Sequence, residues 1–230
     1  MHVPHDTALD HPVAASLGGH HAHLARRLGQ AATYHPDVAT FAAVSAAPGP
    51  SAWSDLATLL GPGEFADMFS SPASPPADWA PVFTLDGFQM VHVAPGAATS
   101  PAPEVVELGP ADVPDMLDLV ARTSPGPFRT RTHELGTYLG IRENGALVAM
   151  AGERLRPPGW TEISAVCTAP EARGRGYAAL LVRDLIGRVE SRDERPFLHV
   201  AAANDAAVAL YKRLGFEVRK PVTFRGFRTP

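Results

Sequence analysis

Apolar positions in the second half of this chain alternate between a period of two and a helical period. Residues 162–168, Glu-Ile-Ser-Ala-Val-Cys-Thr, are rich in β-branched and small apolar side chains and predict a strand. Leu181, Val182, Leu185 and Val189 recur at helical spacing and predict an amphipathic helix over 177–192. A short apolar run at 197–200 predicts another strand. Ala207, Leu210, Tyr211 and Leu214 then share one face of a helix that starts near 205 and closes at Gly215, and a strand follows from Phe216. Upstream, 141–143 and 146–150 read as strands joined by Asn144-Gly145, the strongest short hairpin signal. Met116, Leu117, Leu119 and Val120 predict a helix within 108–123, with Asp112 able to cap it and Pro114 in its first turn.

The first hundred residues carry weaker patterns. A faint helical period runs over 13–34, and a second over 51–69 is broken at Gly61-Pro62-Gly63. Residues 37–45 read as a strand, and 82–83 and 88–93 as two strands around a hairpin at Asp86-Gly87. The run 94–103 is rich in Ala and Pro and reads as a semi-extended linker. The expected organisation is therefore an α+β unit over 1–103 and a second unit over 104–230.

Composition narrows the function. The chain has 230 residues, of which 45% are hydrophobic, enough for a sizeable core. A formal net charge of −4 argues against a nucleic-acid partner. No apolar run reaches membrane-spanning length and no signal peptide is evident, so the expectation is a cytoplasmic protein with no membrane partner. Cys167 is the sole cysteine, which excludes an intrachain disulfide and reads as a small buried hydrophobe. His20, His21 and His23 cluster near the start beside His2, His5 and His11; two of them would still need a third ligand for zinc and no Cys is near, so an exposed polar helix is expected and no metal site.

The chemistry concentrates at Arg173-Gly174-Arg175-Gly176-Tyr177-Ala178, between the strand over 162–168 and the helix from 177. Two glycines permit a tight turn and let a ligand reach the amide nitrogens. The helix start adds unpaired N–H groups and a positive dipole end. Such a loop holds a phosphate or diphosphate, and two arginines add charged donors. Gly174-x-Gly176-x-x-Ala179 formally matches the dinucleotide fingerprint. That fold needs successive βαβ units. Here the loop follows an antiparallel meander, and one βα unit remains after it.

The pattern resembles the GNAT superfamily of acyl-CoA-dependent N-acyltransferases. Its loop motif, Gln/Arg-x-x-Gly-x-Gly/Ala, is matched by Arg173, Gly176 and Ala178. The block from Asn204 through Ala207 and Tyr211 to Gly215-Phe216 resembles its second signature. The likeness covers roughly 105–218 and is nearest to the carboxy-terminal half of glycine N-acyltransferase-like members. It implies an α+β, three-layer fold with a mixed, mostly antiparallel sheet. By the same likeness, 1–103 is expected to be a degenerate half.

The resemblance also implies roles. The backbone of Arg173, Gly174, Arg175, Gly176, Tyr177 and Ala178 would hold the diphosphate of acetyl-CoA. The preceding strand splays from its neighbour, so Val166, Cys167 and Thr168 would bind the pantetheine arm, with an N–H of Val166 or Cys167 polarising the thioester carbonyl. Tyr211 matches the family acid that protonates the leaving sulfur. Asn204 is a helix N-cap whose family counterpart also touches pantetheine. Glu162 lies eleven residues before Arg173, the spacing of a catalytic glutamate in the superfamily's histone acetyltransferases, and is the candidate base, with Glu153 in reserve. Phe128 and Arg131 fall in the region that lines the acceptor pocket, and a structural loop with solvated arginines is the alternative there. The implied reaction is direct acetyl transfer to a primary amine of a small molecule. An acyl-CoA sensor and a peptide or protein N-acetyltransferase are the alternatives. Pairing of two copies through the extra half is a further expectation.

Overall fold

The computed structural model describes residues 7–45, 47–94 and 104–230. Most of the linker expected at 94–103, and His2 and His5, lie outside them. Eleven strands form two sheets among the described residues. The small sheet has the order β1-β2-β3, formed by Ala25–Leu28, Ala31–Tyr34 and Ala42–Ala43. The large sheet collects β4 (Phe65–Asp67), β5 (Ala80–His92), β6 (Val105–Leu108), β7 (Tyr138–Glu143), β8 (Ala146–Glu153), β9 (Trp160–Thr168), β10 (Arg195–Ala201) and β11 (Phe216–Arg228) in the order β4-β11-β5-β10-β9-β8-β7-β6. Every pairing in it is antiparallel except β9 with β10. This is a mixed, mostly antiparallel α+β fold.

Side-chain alternation along the central strands assigns the two faces. Met90, Leu198 and Val200 join a core with Met116 and Leu119 of α3 (Val113–Thr123) and Leu181, Val182 and Leu185 of α4 (Tyr177–Glu190). Their neighbours Val91 and Phe197 join a second core with Leu9, Val13 and Leu17 of the amino-terminal segment, where α1 spans Pro12–Gly18. A period of two on a strand puts successive residues on opposite faces. The sheet is therefore covered on one face by α3 and α4 and on the other by residues 9–43. A third core surrounds Trp53 and Leu56 of α2 (Pro50–Leu60). The last helix, α5 (Asp205–Arg213), packs beside β11.

The hairpin at Asn144-Gly145 forms as expected, with φ of 50° and 85° at its two residues. Asp86-Gly87 does not turn. Both residues lie inside the continuous strand β5, which pairs with β10 on one side and β11 on the other. Gly87 is there for space: a Cβ would meet the Phe224 ring at 2.4 Å and the Val200 carbonyl at 2.8 Å. The helical pattern over 13–34 stops at Gly18-Gly19, and the chain then forms a 3-10 turn and the β1–β2 hairpin. His21 is buried, not on an exposed helix. Its Nδ1 lies 2.9 Å from the Tyr34 hydroxyl and its Nε2 3.0 Å from the Leu135 carbonyl. The strand expected over 37–45 shrinks to β3. No described helix is long and apolar enough to cross a membrane.

Candidate active site

The site begins with a fault in β9. Ala165 has a φ of 53°, and the β8 register jumps from Met150↔Cys167 to Gly152↔Ser164. Two residues, Ala165 and Val166, thus oppose one, which is a β-bulge and bends the strand. On its other edge β9 pairs with β10 only from Arg195↔Trp160 to Phe197↔Glu162. Beyond that point the two parallel strands part, and a cleft of about 530 Å³ opens between them. Val166, Cys167, Thr168, Asn204 and Tyr211 all line it. The splay expected from the sequence is present.

At its far end the cleft meets a second depression of about 630 Å³, and Thr168 and Arg173 line both. Gly174, Gly176, Tyr177 and Ala178 form its floor. Gly174 and Gly176 adopt φ of 79° and 82°, and a Cβ at either would point into open space. The glycines serve backbone conformation here, not packing. Gly176 is the N-cap of α4 and supplies no side-chain acceptor, so the first amides of a 14-residue helix have no capping side chain. That builds a cradle able to hold an anion such as a diphosphate.

The charges around the cradle differ from a simple two-arginine clamp. Arg175 pairs with Glu143 at 2.7 Å, and the Tyr177 hydroxyl donates to the same carboxylate at 2.5 Å. Arg173 donates to the Thr168 carbonyl at 3.3 Å. Arg183 of α4 and Arg213 of α5 also line the depression. Sequence reasoning missed both, although Arg183 lies two turns into the helix on the loop's side.

Tyr211 is 8% exposed, lines the cleft, and packs edge-on against Phe216. Burial pushes its hydroxyl up to about 12, so it holds its proton at neutral pH. Asn204 caps α5, its Oδ1 accepting from the Ala207 N–H at 3.1 Å, and it also reaches the cleft wall. Burial pushes the Cys167 thiol up, away from thiolate character.

Glu162 has surroundings the sequence did not suggest. It is fully buried at 0% exposure, and its oxygens accept from Arg154 Nη2 at 2.6 Å and Nε at 2.8 Å. His199 Nδ1 donates to Oε1 at 2.6 Å, and the Leu155 amide donates to Oε2 at 3.3 Å. Burial alone would raise this carboxyl, but the Arg154 charge and these bonds hold it well below the carboxylate range. Burial keeps His199 below its ordinary value, so its Nε2 accepts from the Gln89 amide at 3.2 Å. Glu153 is also buried, and Arg192 and the Thr137 amide occupy its oxygens at 2.7 and 3.2 Å.

Phe128 packs edge-on against Tyr138 at 5.6 Å, behind the bulge, and Arg131 is held by Glu134 and Asp37 at 2.7 and 3.2 Å. Neither lines the main cleft. The wall opposite β9 comes instead from the amino-terminal half: Phe41, Asp67, Phe69, Phe83 and Leu85. The guanidinium of Arg154 lies over the Phe69 and Phe41 rings at 4.5 and 5.1 Å. The sequence held one signal for this wall: Asp67 is the lone charge between Ala66 and Met68-Phe69 in an otherwise apolar strand.

Comparison with known proteins agrees with this geometry. The family model of FR47-like proteins matches residues 138–224. A GNAT-family protein of known structure from Novosphingobium aromaticivorans is 38% identical, with a TM-score of 0.89 over 98% of this chain and 100% of its own. A GCN5-related N-acetyltransferase from Kribbella flavida shares the fold, with a TM-score of 0.60 at 17% identity over 95% and 94% of the two chains. The N-alpha-acetyltransferase RimI of Mycobacterium tuberculosis is 39% identical over 83 residues, 35% of this chain and 51% of RimI. This chain thus spans about half the length of that curated relative. The chain belongs to the GNAT family of acyl-CoA-dependent N-acyltransferases.

Proposed function

We propose that this protein transfers an acetyl group from acetyl-CoA directly to a primary amine of a small molecule. One observation carries the reading: the β9–β10 split runs from the open start of α4 to the protonated hydroxyl of Tyr211. Acetyl-CoA laid along it would place its diphosphate on the amides of 173–178 and its pantetheine against Val166, Cys167 and Thr168. An N–H of Val166 or Cys167 would then stabilise the oxyanion as the amine adds. Tyr211 would protonate the departing thiolate. Glu162 acts in this reading by fixing Arg154 and His199 in the wall rather than by meeting solvent.

Closure of the cleft by Phe41, Asp67 and Phe69 supports a small acceptor over a protein surface. The partial likeness to RimI favours a peptide amino terminus as the second reading. Val82, 50% exposed on β5 and outside the cleft lining, supports pairing of two copies through that strand, to be checked by light scattering. The test of the main reading is calorimetric titration of acetyl-CoA, followed by coenzyme A release with small amines and with peptides. Tyr211→Phe is expected to keep coenzyme binding and lose most turnover. A variant that turns over normally removes Tyr211 from the mechanism, and a protein that does not bind acetyl-CoA removes the reading.

A further inference from the structure

Asp67 ends β4 in the cleft wall and is 3% exposed. Its Oδ2 accepts from the Thr40 hydroxyl at 3.1 Å, while its Oδ1 is buried with no hydrogen-bond partner among the described residues. A buried carboxylate oxygen without a donor is costly, so the position asks for a ligand that brings one. Burial pushes this carboxyl up to about 6, against the opposing pull of Thr40 and Arg154. The charges facing it are few. Arg154 is neutralised by Glu162, and the Nδ1 of His199 is turned to that same glutamate. Tyr211 is protonated. Arg225 of β11 donates from Nη1 and Nη2 to Ser74 and to the carbonyls of Ser71 and Ala73, its Nε has no partner among the described residues, and it lines a different depression. Arg173, at the end of the cleft shared with the second depression, donates to the Thr168 carbonyl. Asp67 is the one carboxylate among the described residues that line the cleft, it has no ion-pair partner there, and the half-exposed Phe83 and Leu85 make the same wall apolar.

We propose that Asp67 receives the ammonium of the acceptor and takes one of its protons, and that the acceptor is a primary amine on an apolar body. The proposal rests on the acetyl-transfer reading and assigns that site its substrate class. The step balances as follows. The ammonium gives one proton to Oδ1 of Asp67, which later passes to solvent. The free amine adds to the thioester carbon, forming C–N, and the C–S bond breaks. The sulfur takes the Tyr211 proton, and the second proton of the nitrogen restores the tyrosine. The products are the amide, coenzyme A thiol and one released proton.

The test uses the full chain with coenzyme A bound and 2-phenylethylamine as probe, with spermidine and glycine as contrasts. Calorimetry at pH 7.5 is expected to show binding of 2-phenylethylamine that weakens tenfold or more in Asp67→Asn, with acetyl-CoA binding unchanged. For acetylation of the probe, kcat/KM is expected to fall on the order of 100-fold in that variant. The acidic limb of its pH profile, near pH 6 in the wild type, is expected to disappear. Thr40→Val removes the donor to Oδ2 and is expected to move the limb to higher pH while keeping it, an effect no purely structural role predicts. Should Asp67→Asn fail to fold, as read by lost acetyl-CoA binding, the Thr40→Val profile decides alone. An unshifted limb in Thr40→Val, wild-type kinetics in Asp67→Asn, or a wild type that does not bind the phenyl amine overturns the proposal. Failure of the wild type to bind acetyl-CoA would instead sink the reading beneath it.

Discussion

The two ends of the cleft, one proposed for the diphosphate and the other for the acceptor, are made of different material. The diphosphate end is backbone: two left-handed glycines and the uncapped start of α4, with Arg175 engaged elsewhere by Glu143. The acceptor end is side chain: Arg154, Glu162 and His199 in one buried cluster, with Asp67 and Phe69 brought from more than eighty residues away. A backbone site depends on conformation and tolerates changes in nearby charge. A side-chain site depends on every partner, because a buried ion that loses its counterpart is left uncompensated.

That contrast orders the expected effects. The largest belongs to Arg154→Met, which strands the Glu162 carboxylate; a loss of about 3–5 kcal/mol is expected in urea unfolding at pH 7. Replacing Glu162 by Gln in the same protein should recover part of it. Asp67→Asn should do the opposite of a usual core polar change. Its native carboxyl sits at about 6, above the 3.8 of an unperturbed Asp, so the native state binds more protons between these values and stability falls as pH rises through them. At pH 8 the variant is expected to gain about 3 kcal/mol, shrinking to nothing below pH 4, as measured by unfolding at several pH values. A variant that is less stable at pH 8 would refute the unmet carboxylate.

At the diphosphate end effects should be smaller in stability and specific to the coenzyme. Gly176→Ala forces a side chain into φ of 82°, at about 1–2 kcal/mol, and should weaken acetyl-CoA more than tenfold without changing amine affinity. Arg175→Ala breaks an exposed pair with Glu143 and a bond to the Glu171 carbonyl, and should leave stability almost unchanged, with a change in acetyl-CoA affinity smaller than that of Gly176→Ala. A larger loss of acetyl-CoA binding in Arg175→Ala than in Gly176→Ala would invert the comparison.

Legibility in the sequence followed the same division. The loop at 173–178, the strand before it, both helices and the Asn144-Gly145 hairpin are contiguous features whose local chemistry names them. Asp86-Gly87 misled because a glycine required by the ring of Phe224 carries the same letters as a glycine required by a turn. The burial of Glu162 and the arrival of Asp67 depend on pairings between distant strands, which no window along the chain contains.

Strand β5 lies between β10 and β11, although about a hundred residues or more separate it from each in sequence. During synthesis it emerges long before its partners and must wait, with Val82 on one face and Phe83 and Leu85 on the other, until residue 228 has left the ribosome. Folding should therefore be slow and late, because such distant pairings pay their loop entropy first. In that interval the unpaired strand is an aggregation hazard, and a chaperone that shields residues 80–92 is expected to raise the yield.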